Sequence, residues 1–139
     1  MSGAPVPQGR YLPATRHGGL IFTSGMTPRA AGVLKVQGPV RAADSPEDWR
    51  EAVELACANA LTAARGQLHG AERITAVVSM TVFVAAEAGF TLHSKLADLA
   101  SDYLFAELGA AGIGSRAAVG VATLPGGAPV EIQIIAAAG

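Results

Sequence analysis

The stretch SPEDWREAVELACANALTAARGQLHGAERITAVVSMTVFV, residues 45–84, decides the fold class. Ser45 is placed to cap a helix, because its hydroxyl can accept from an otherwise orphaned backbone N–H. Pro46 suits the first helical position, and Glu47 and Asp48 complement the positive end of the helix dipole. Trp49, Ala52, Val53, Ala56, Ala60, Ala63, Ala64 and Leu68 then recur at helical spacing. Gly70 offers a left-handed cap, so a helix of about 22 residues is expected. The period then changes. From Ile74 to Val84, Val78, Met80, Val82 and Val84 alternate with Ser79, Thr81 and Phe83. This β-branched run is a long strand.

On the N-terminal side, residues 1–10 hold Gly3, Pro5, Pro7 and Gly9 and read as an irregular arm pinned at its end by Tyr11. Ala14 to His17 and Leu20 to Ser24 flank Gly18-Gly19, the signature of a β-hairpin. Met26 to Gly32 reads as a loop, and Val33 to Val36 as a short third strand. On the C-terminal side, Leu92, Leu96, Leu99, Ala100, Tyr103, Leu104 and Leu108 define a second helix, ended by Gly109. Gly109 to Ser115 reads as a flexible, glycine-rich connector. Ala117 to Leu124 and Val130 to Ala137 form two strands around Pro125-Gly126-Gly127-Ala128-Pro129. The expected order is β-β-(β)-α-β-α-β-β. This is an α+β fold in which two helices cover one face of a mixed sheet. Residues 11–139 form a single domain, with no repeat or linker.

Composition bounds the function. The chain has 139 residues, half of them apolar and only 15% charged. That leaves apolar area to hide, so a homo-oligomer is expected. The net charge of −1 and the absence of any basic block disfavour nucleic acid as the main partner. The 29 alanines suit close backbone packing. Cys57 is the single cysteine, which excludes an internal disulfide and fits a reducing cytoplasm. It falls on the apolar stripe of the first helix, so packing rather than nucleophilic chemistry is expected of it. No apolar run reaches membrane-spanning length, and no secretory signal is visible.

His17, His69 and His93 are not at metal-ligand spacing, so neither a metal nor a cofactor is expected. No phosphate-binding loop or serine-nucleophile elbow can be read. Two charged residues interrupt apolar strands: Arg116, and Glu131 within Val130-Glu131-Ile132-Gln133-Ile134-Ile135. If the last two strands pair through their turn, these residues share one cleft. An arginine at the mouth of an apolar cavity grips a carboxylate with two parallel hydrogen bonds. A nearby glutamate can move protons or orient water. The same two charges also fit a structural ion pair or solvated strand ends.

Two segments extend this reading. The first is Tyr11-Leu12-Pro13-Ala14 followed by Gly19-Leu20-Ile21-Phe22-Thr23-Ser24-Gly25. The second is Ser115-Arg116-Ala117-Ala118-Val119-Gly120-Val121-Ala122-Thr123-Leu124-Pro125, then Val130-Glu131-Ile132. Together they resemble the Rid/YjgF family of reactive-intermediate imine deaminases, also described as endoribonuclease L-PSP-like. The likeness spans roughly residues 10–138. It implies a chorismate-mutase-like fold, a cytoplasmic homotrimer and a cleft between subunits. It further implies hydrolysis of 2-imino acids such as 2-iminobutanoate and 2-iminopropanoate, or of their enamine tautomers, to 2-oxo acids and ammonia. Arg116 would hold the substrate carboxylate and Glu131 would handle water and protons. Tyr11, Ser24 and Gly25 would line the pocket. Three positions depart from the family's usual pattern. Leu12 stands for a serine, Ala118 for a cysteine two residues after the arginine, and Asp98 for an asparagine on the second helix. An acid at Asp98 repels an anionic substrate unless it is protonated or turned away. The departures leave three other functions open. One is a regulatory protein that binds small carboxylates without turnover, and another is a different hydrolase or biosynthetic enzyme on the same trimer. The third is ribonuclease action, which the near-neutral charge disfavours.

Overall fold

The computed structural model describes residues 3–139. The expected hairpin forms from β1 (Ala14–His17) and β2 (Leu20–Thr23), paired antiparallel around Gly18-Gly19. The segment read as a loop holds structure of its own. Two-residue strands β3 (Arg29–Ala30) and β4 (Val33–Leu34) form a small separate ribbon. Ala31 and Gly32 turn it with φ of 52° and 80°. Positive φ at both central residues matches the natural twist of a hairpin. The third strand therefore ends at Leu34, short of Val36, and pairs within the segment instead of joining the main sheet.

The helix start is as the sequence indicates. The Ser45 hydroxyl accepts from the Glu47 N–H at 3.3 Å, and the Asp48 carboxylate accepts from the Ser45 N–H at 3.1 Å. Pro46–Trp49 form one tight turn, and α1 then spans Arg50–Arg65. The helix is thus shorter than the periodicity indicates and is capped at Gly66 rather than Gly70. The bonds Gln67 N–H to Ala64 O and Leu68 N–H to Arg65 O tighten the chain out of the helix, while Leu68 still packs on the core. Gly70, at φ 58°, turns the chain toward the next strand.

β5 (Ile74–Ala85) is the long strand expected, and α2 (His93–Leu108) the second helix. β6 (Ser115–Val121) runs parallel to β5, so the connection between them must cross over, and α2 makes that crossing. β7 (Val130–Ala138) returns antiparallel on the other side of β5. The sheet order is β1-β2-β7-β5-β6. The last two strands therefore do not pair with each other. Residues 122–129 pass over the end of β5, where the Ala85 and Ala86 N–H groups bond to Pro129 O and Val121 O at 2.9 and 3.3 Å. The glycine-rich segment before β6 is also no loose connector. Gly109–Gly112 form a tight turn, and a side chain at Gly114 would collide with the Val77 carbonyl.

Both helices lie on one face of the sheet. Met80, Val82 and Val84 of β5 and Val130, Ile132, Ile134 and Ala136 of β7 are buried beneath them. Val53 and Leu61 from α1 and Leu96 and Leu104 from α2 fill the layer, each contributing roughly 1.5–3 kcal/mol on burial. The opposite face is bare. It presents Phe22, Phe83, Val119 and Ile135, with Phe22 38% and Val119 41% exposed.

Candidate functional site

The site begins with an irregularity where β2 leaves β7. Regular pairing ends at Phe22–Ile135. The Thr23 hydroxyl then accepts the Ile134 N–H at 3.0 Å, in place of a backbone partner. Pairing resumes at Met26–Ile132 through bonds of 2.7 and 2.8 Å, with the register shifted by one residue. The extra residue throws Ser24-Gly25 out beside Glu131, as bulges do where a strand must re-aim the chain. Ser24 is fixed from the hairpin side: its N–H bonds to Pro13 O at 2.8 Å and its hydroxyl donates to Leu12 O at 2.6 Å. The Tyr11 hydroxyl accepts from the Gln8 N–H at 3.0 Å, which ties the ring to the arm.

These residues wall an open cleft of about 340 Å³, formed by Tyr11, Ser24, Gly25, Pro125 and Glu131. Four of the expected site residues are thus brought together. Any side chain at position 25 would collide with the Glu131 carboxylate, whose Cδ would lie 2.7 Å from the added carbon. Glu131 is half-buried, and its carboxylate has no hydrogen-bond partner among the described residues. Burial pushes its carboxyl above the usual range, because desolvation disfavours the charged form.

Arg116 does not reach this cleft within one chain. It pairs across from Met80, on the helix-covered face, while Glu131 pairs across from Phe83, on the bare face. β5 stands between them, so they are separated laterally by about 10 Å as well as being on opposite faces. The expectation of a shared cleft rested on direct pairing of the last two strands, and the crossover removes it. Arg116 instead faces α2. Nη1 donates to Asp98 Oδ1 and Ser101 Oγ, both at 2.9 Å. Nη2 donates to Ser94 Oγ at 2.9 Å and to Ser94 O at 3.2 Å. Asp98 is therefore turned onto the arginine, where it holds Nη1 while Ser94 holds Nη2. Ala118 lies two residues along on the same face, packed against the core.

The sequence reading missed Ser94 and Ser101, although a signal was there. Positions 94, 98 and 101 make one polar stripe at helical spacing beside the apolar stripe of α2. Pro125, read only as part of a turn, is a wall of the cleft. Cys57 is fully buried, donates to Ala100 O at 3.7 Å and has its thiol pushed up to about 12 by burial, so it is packing material. Among the described residues, no helix is long and apolar enough to cross a membrane.

A family model described as Endoribonuclease L-PSP matches residues 1–138. The crystal structure of Atu1372 from Agrobacterium tumefaciens, a protein of unknown function, is 34% identical with a TM-score of 0.85. That likeness covers 97% of this chain and 87% of the other. The YjgF gene product of E. coli is 25% identical with a TM-score of 0.69, over 97% of this chain and 93% of that one. Protein TCP17 of Trypanosoma cruzi is 28% identical over 136 residues, covering 97% of this chain and 85% of its own length.

Proposed function

On the premise that the chain belongs to the endoribonuclease L-PSP family, which is the Rid/YjgF family, we propose that it hydrolyses 2-imino acids or their enamine tautomers. The products are a 2-oxo acid and ammonia. The observation that carries this reading is the Glu131 carboxyl, half-buried and unpartnered among the described residues in a cleft with Tyr11, Ser24 and Gly25.

The reaction asks little of a nucleophile, because an imine carbon is already electrophilic. A water adds to C2 of the protonated imine while Glu131 takes one of its protons, which gives a neutral aminoalcohol. Glu131 returns that proton to the nitrogen, the C–N bond breaks as the hydroxyl gives its proton back to Glu131 and becomes the 2-oxo group, and ammonia leaves. A carboxyl whose pKa is raised by burial can serve as base in the first step and acid in the second. Holding water and imine in attack geometry supplies the remainder of the acceleration. Tyr11, Ser24 and Gly25 line the imine's binding surface.

The substrate carboxylate needs a cation, and Glu131 forms no ion pair among the described residues. We assign that role to Arg116 of a neighbouring subunit in a homotrimer, so that each cleft is completed between two chains. The bare apolar face around Phe22, Phe83 and Ile135 supports assembly. An incoming carboxylate takes the place of Asp98 on the Arg116 fork. No cofactor enters the reaction, and the buried reduced thiol of Cys57 is consistent with a cytoplasmic setting.

Subunit complementation tests the shared site. Arg116→Ala and Glu131→Gln should each be inactive. Mixed trimers of the two should recover roughly a quarter of wild-type activity, the share of interfaces that pair an intact Arg116 with an intact Glu131. Mixed oligomers with no recovery would overturn the shared cleft.

A further inference from the structure

Arg29 is a half-buried guanidinium without a carboxylate partner. The arginines at 16, 41, 50, 65 and 116 all sit in ion pairs, and of the three that form none among the described residues, Arg10 and Arg73 are exposed whereas Arg29 is half-buried. Its plane is nonetheless fixed. Nε donates to Thr27 Oγ1 at 3.2 Å and Nη1 to Gly32 O at 3.0 Å, so both ends of the β3–β4 ribbon hold it. Nη2 has no acceptor among the described residues. It lies against Gly126, where an added Cβ would stand 2.6 Å away. Gly126 follows Pro125, which walls the Glu131 cleft. Arg29 also lines a cavity of about 150 Å³ between the N-terminal arm and the ribbon, and this cavity shares Tyr11 and Gly25 with the cleft.

A fixed guanidinium with spare N–H groups, desolvated on one side and lacking a counter-ion, is prepared for an anion from outside the chain. We infer that Arg29 is a second anion anchor of the Glu131 cleft, and that the substrate is a 2-imino dicarboxylate. This inference rests on the imine-hydrolase reading and extends it. The 2-carboxylate goes to Arg116 of the neighbouring subunit, and the terminal carboxylate of the side chain goes to Arg29. A monocarboxylic imino acid leaves Arg29 unpaired.

Calorimetry on the full-length oligomer tests this with two product-like probes of equal chain length, 2-oxoglutarate and 2-oxopentanoate. The wild type should bind 2-oxoglutarate at least about tenfold more tightly. Arg29→Gln should erase that preference while leaving 2-oxopentanoate affinity within about twofold, and Arg29→Lys should restore part of it. Melting curves of both variants identify any loss of fold, and the lysine variant keeps the test readable if the glutamine variant does not fold. Equal affinity of the wild type for the two probes overturns the inference, as does a preference that survives in Arg29→Gln. Loss of both probes in a folded Arg29→Gln also overturns it, because Arg29 would then hold the 2-carboxylate. Binding of neither probe overturns this inference and the hydrolase reading together. An Arg29-dependent preference without imine turnover leaves Arg29 as an anion anchor and overturns the hydrolase reading, and with it the imino-dicarboxylate substrate.

Discussion

Gly25 and Glu131 occupy adjoining space: the carboxylate of Glu131 lies where a side chain at position 25 would stand. The bulge that places Gly25 there is held by flanking bonds at Thr23 and Met26, not by the glycine itself. Gly25→Ala should therefore displace the carboxylate and leave the sheet intact. The expected result is at least a tenfold fall in kcat/KM with an unchanged oligomeric state. Wild-type kinetics would show that the position of the carboxylate does not matter.

The raised carboxyl of Glu131 has consequences for both rate and stability. Its basic form is populated only above the raised pKa, so the acidic limb of kcat/KM should lie above the ordinary carboxylate range and vanish in Glu131→Gln. For stability the sign runs the other way. A carboxyl raised in the folded state makes ionisation unfavourable to folding, so wild-type stability falls as pH rises through that pKa. Glu131→Gln should match or exceed the wild-type melting temperature at pH 7, with the gain disappearing at acidic pH. A lower melting temperature at neutral pH would contradict the burial argument.

Arg116 and Asp98 separate assembly from chemistry. Arg116→Ala removes charge-assisted bonds worth roughly 1.5–3 kcal/mol each, so on the order of a hundredfold loss of turnover is expected. Because Asp98 is more than half exposed, Asp98→Asn should change stability by no more than about 1 kcal/mol. It should also tighten carboxylate binding through Arg116, since the resident competitor loses its charge. Weaker binding in Asp98→Asn would place Asp98 among the groups that hold the ligand.

A separate pair sets the acid stability. Arg16 on β1 grips Glu72 through two bonds of 2.7 and 2.8 Å and also donates to Gln67 O at 2.9 Å, joining the hairpin to the segment after α1. The Arg16 guanidinium holds the Glu72 carboxyl down at about 2. A depressed carboxyl contributes stability that is present above its unfolded pKa, near 4.5, and lost as pH falls toward about 2. Glu72→Gln should melt below the wild type at pH 7, and the two curves should converge across that acidic window.

The elements whose periodicity is internal were legible in the sequence. Ser45, Pro46 and Asp48 mark the first helix because capping is a local event, and β5 shows its alternation from Met80 to Val84. Long-range choices were not legible. Arg116 and Glu131 are fifteen positions apart in a stretch that reads as a hairpin, and only the parallel crossover through α2 shows that β5 separates them. The β3–β4 ribbon escaped because two-residue strands carry no period, and with it went the anchoring of Arg29. The apolar spacing carried the first helix to Gly70, but the tightening bonds after Thr62 end it at Gly66.

The central claim is tested most directly by imine diversion. 2-Imino acids are generated in place from amino acids, including a dicarboxylic one, by an amino-acid oxidase, and semicarbazide traps whatever imine remains. Wild-type protein should divert imine to free 2-oxo acid and ammonia, lowering the semicarbazone yield, while folded Arg116→Ala should not. An unchanged semicarbazone yield with every amino acid, from a folded oligomer of the wild type, would contradict imine hydrolysis.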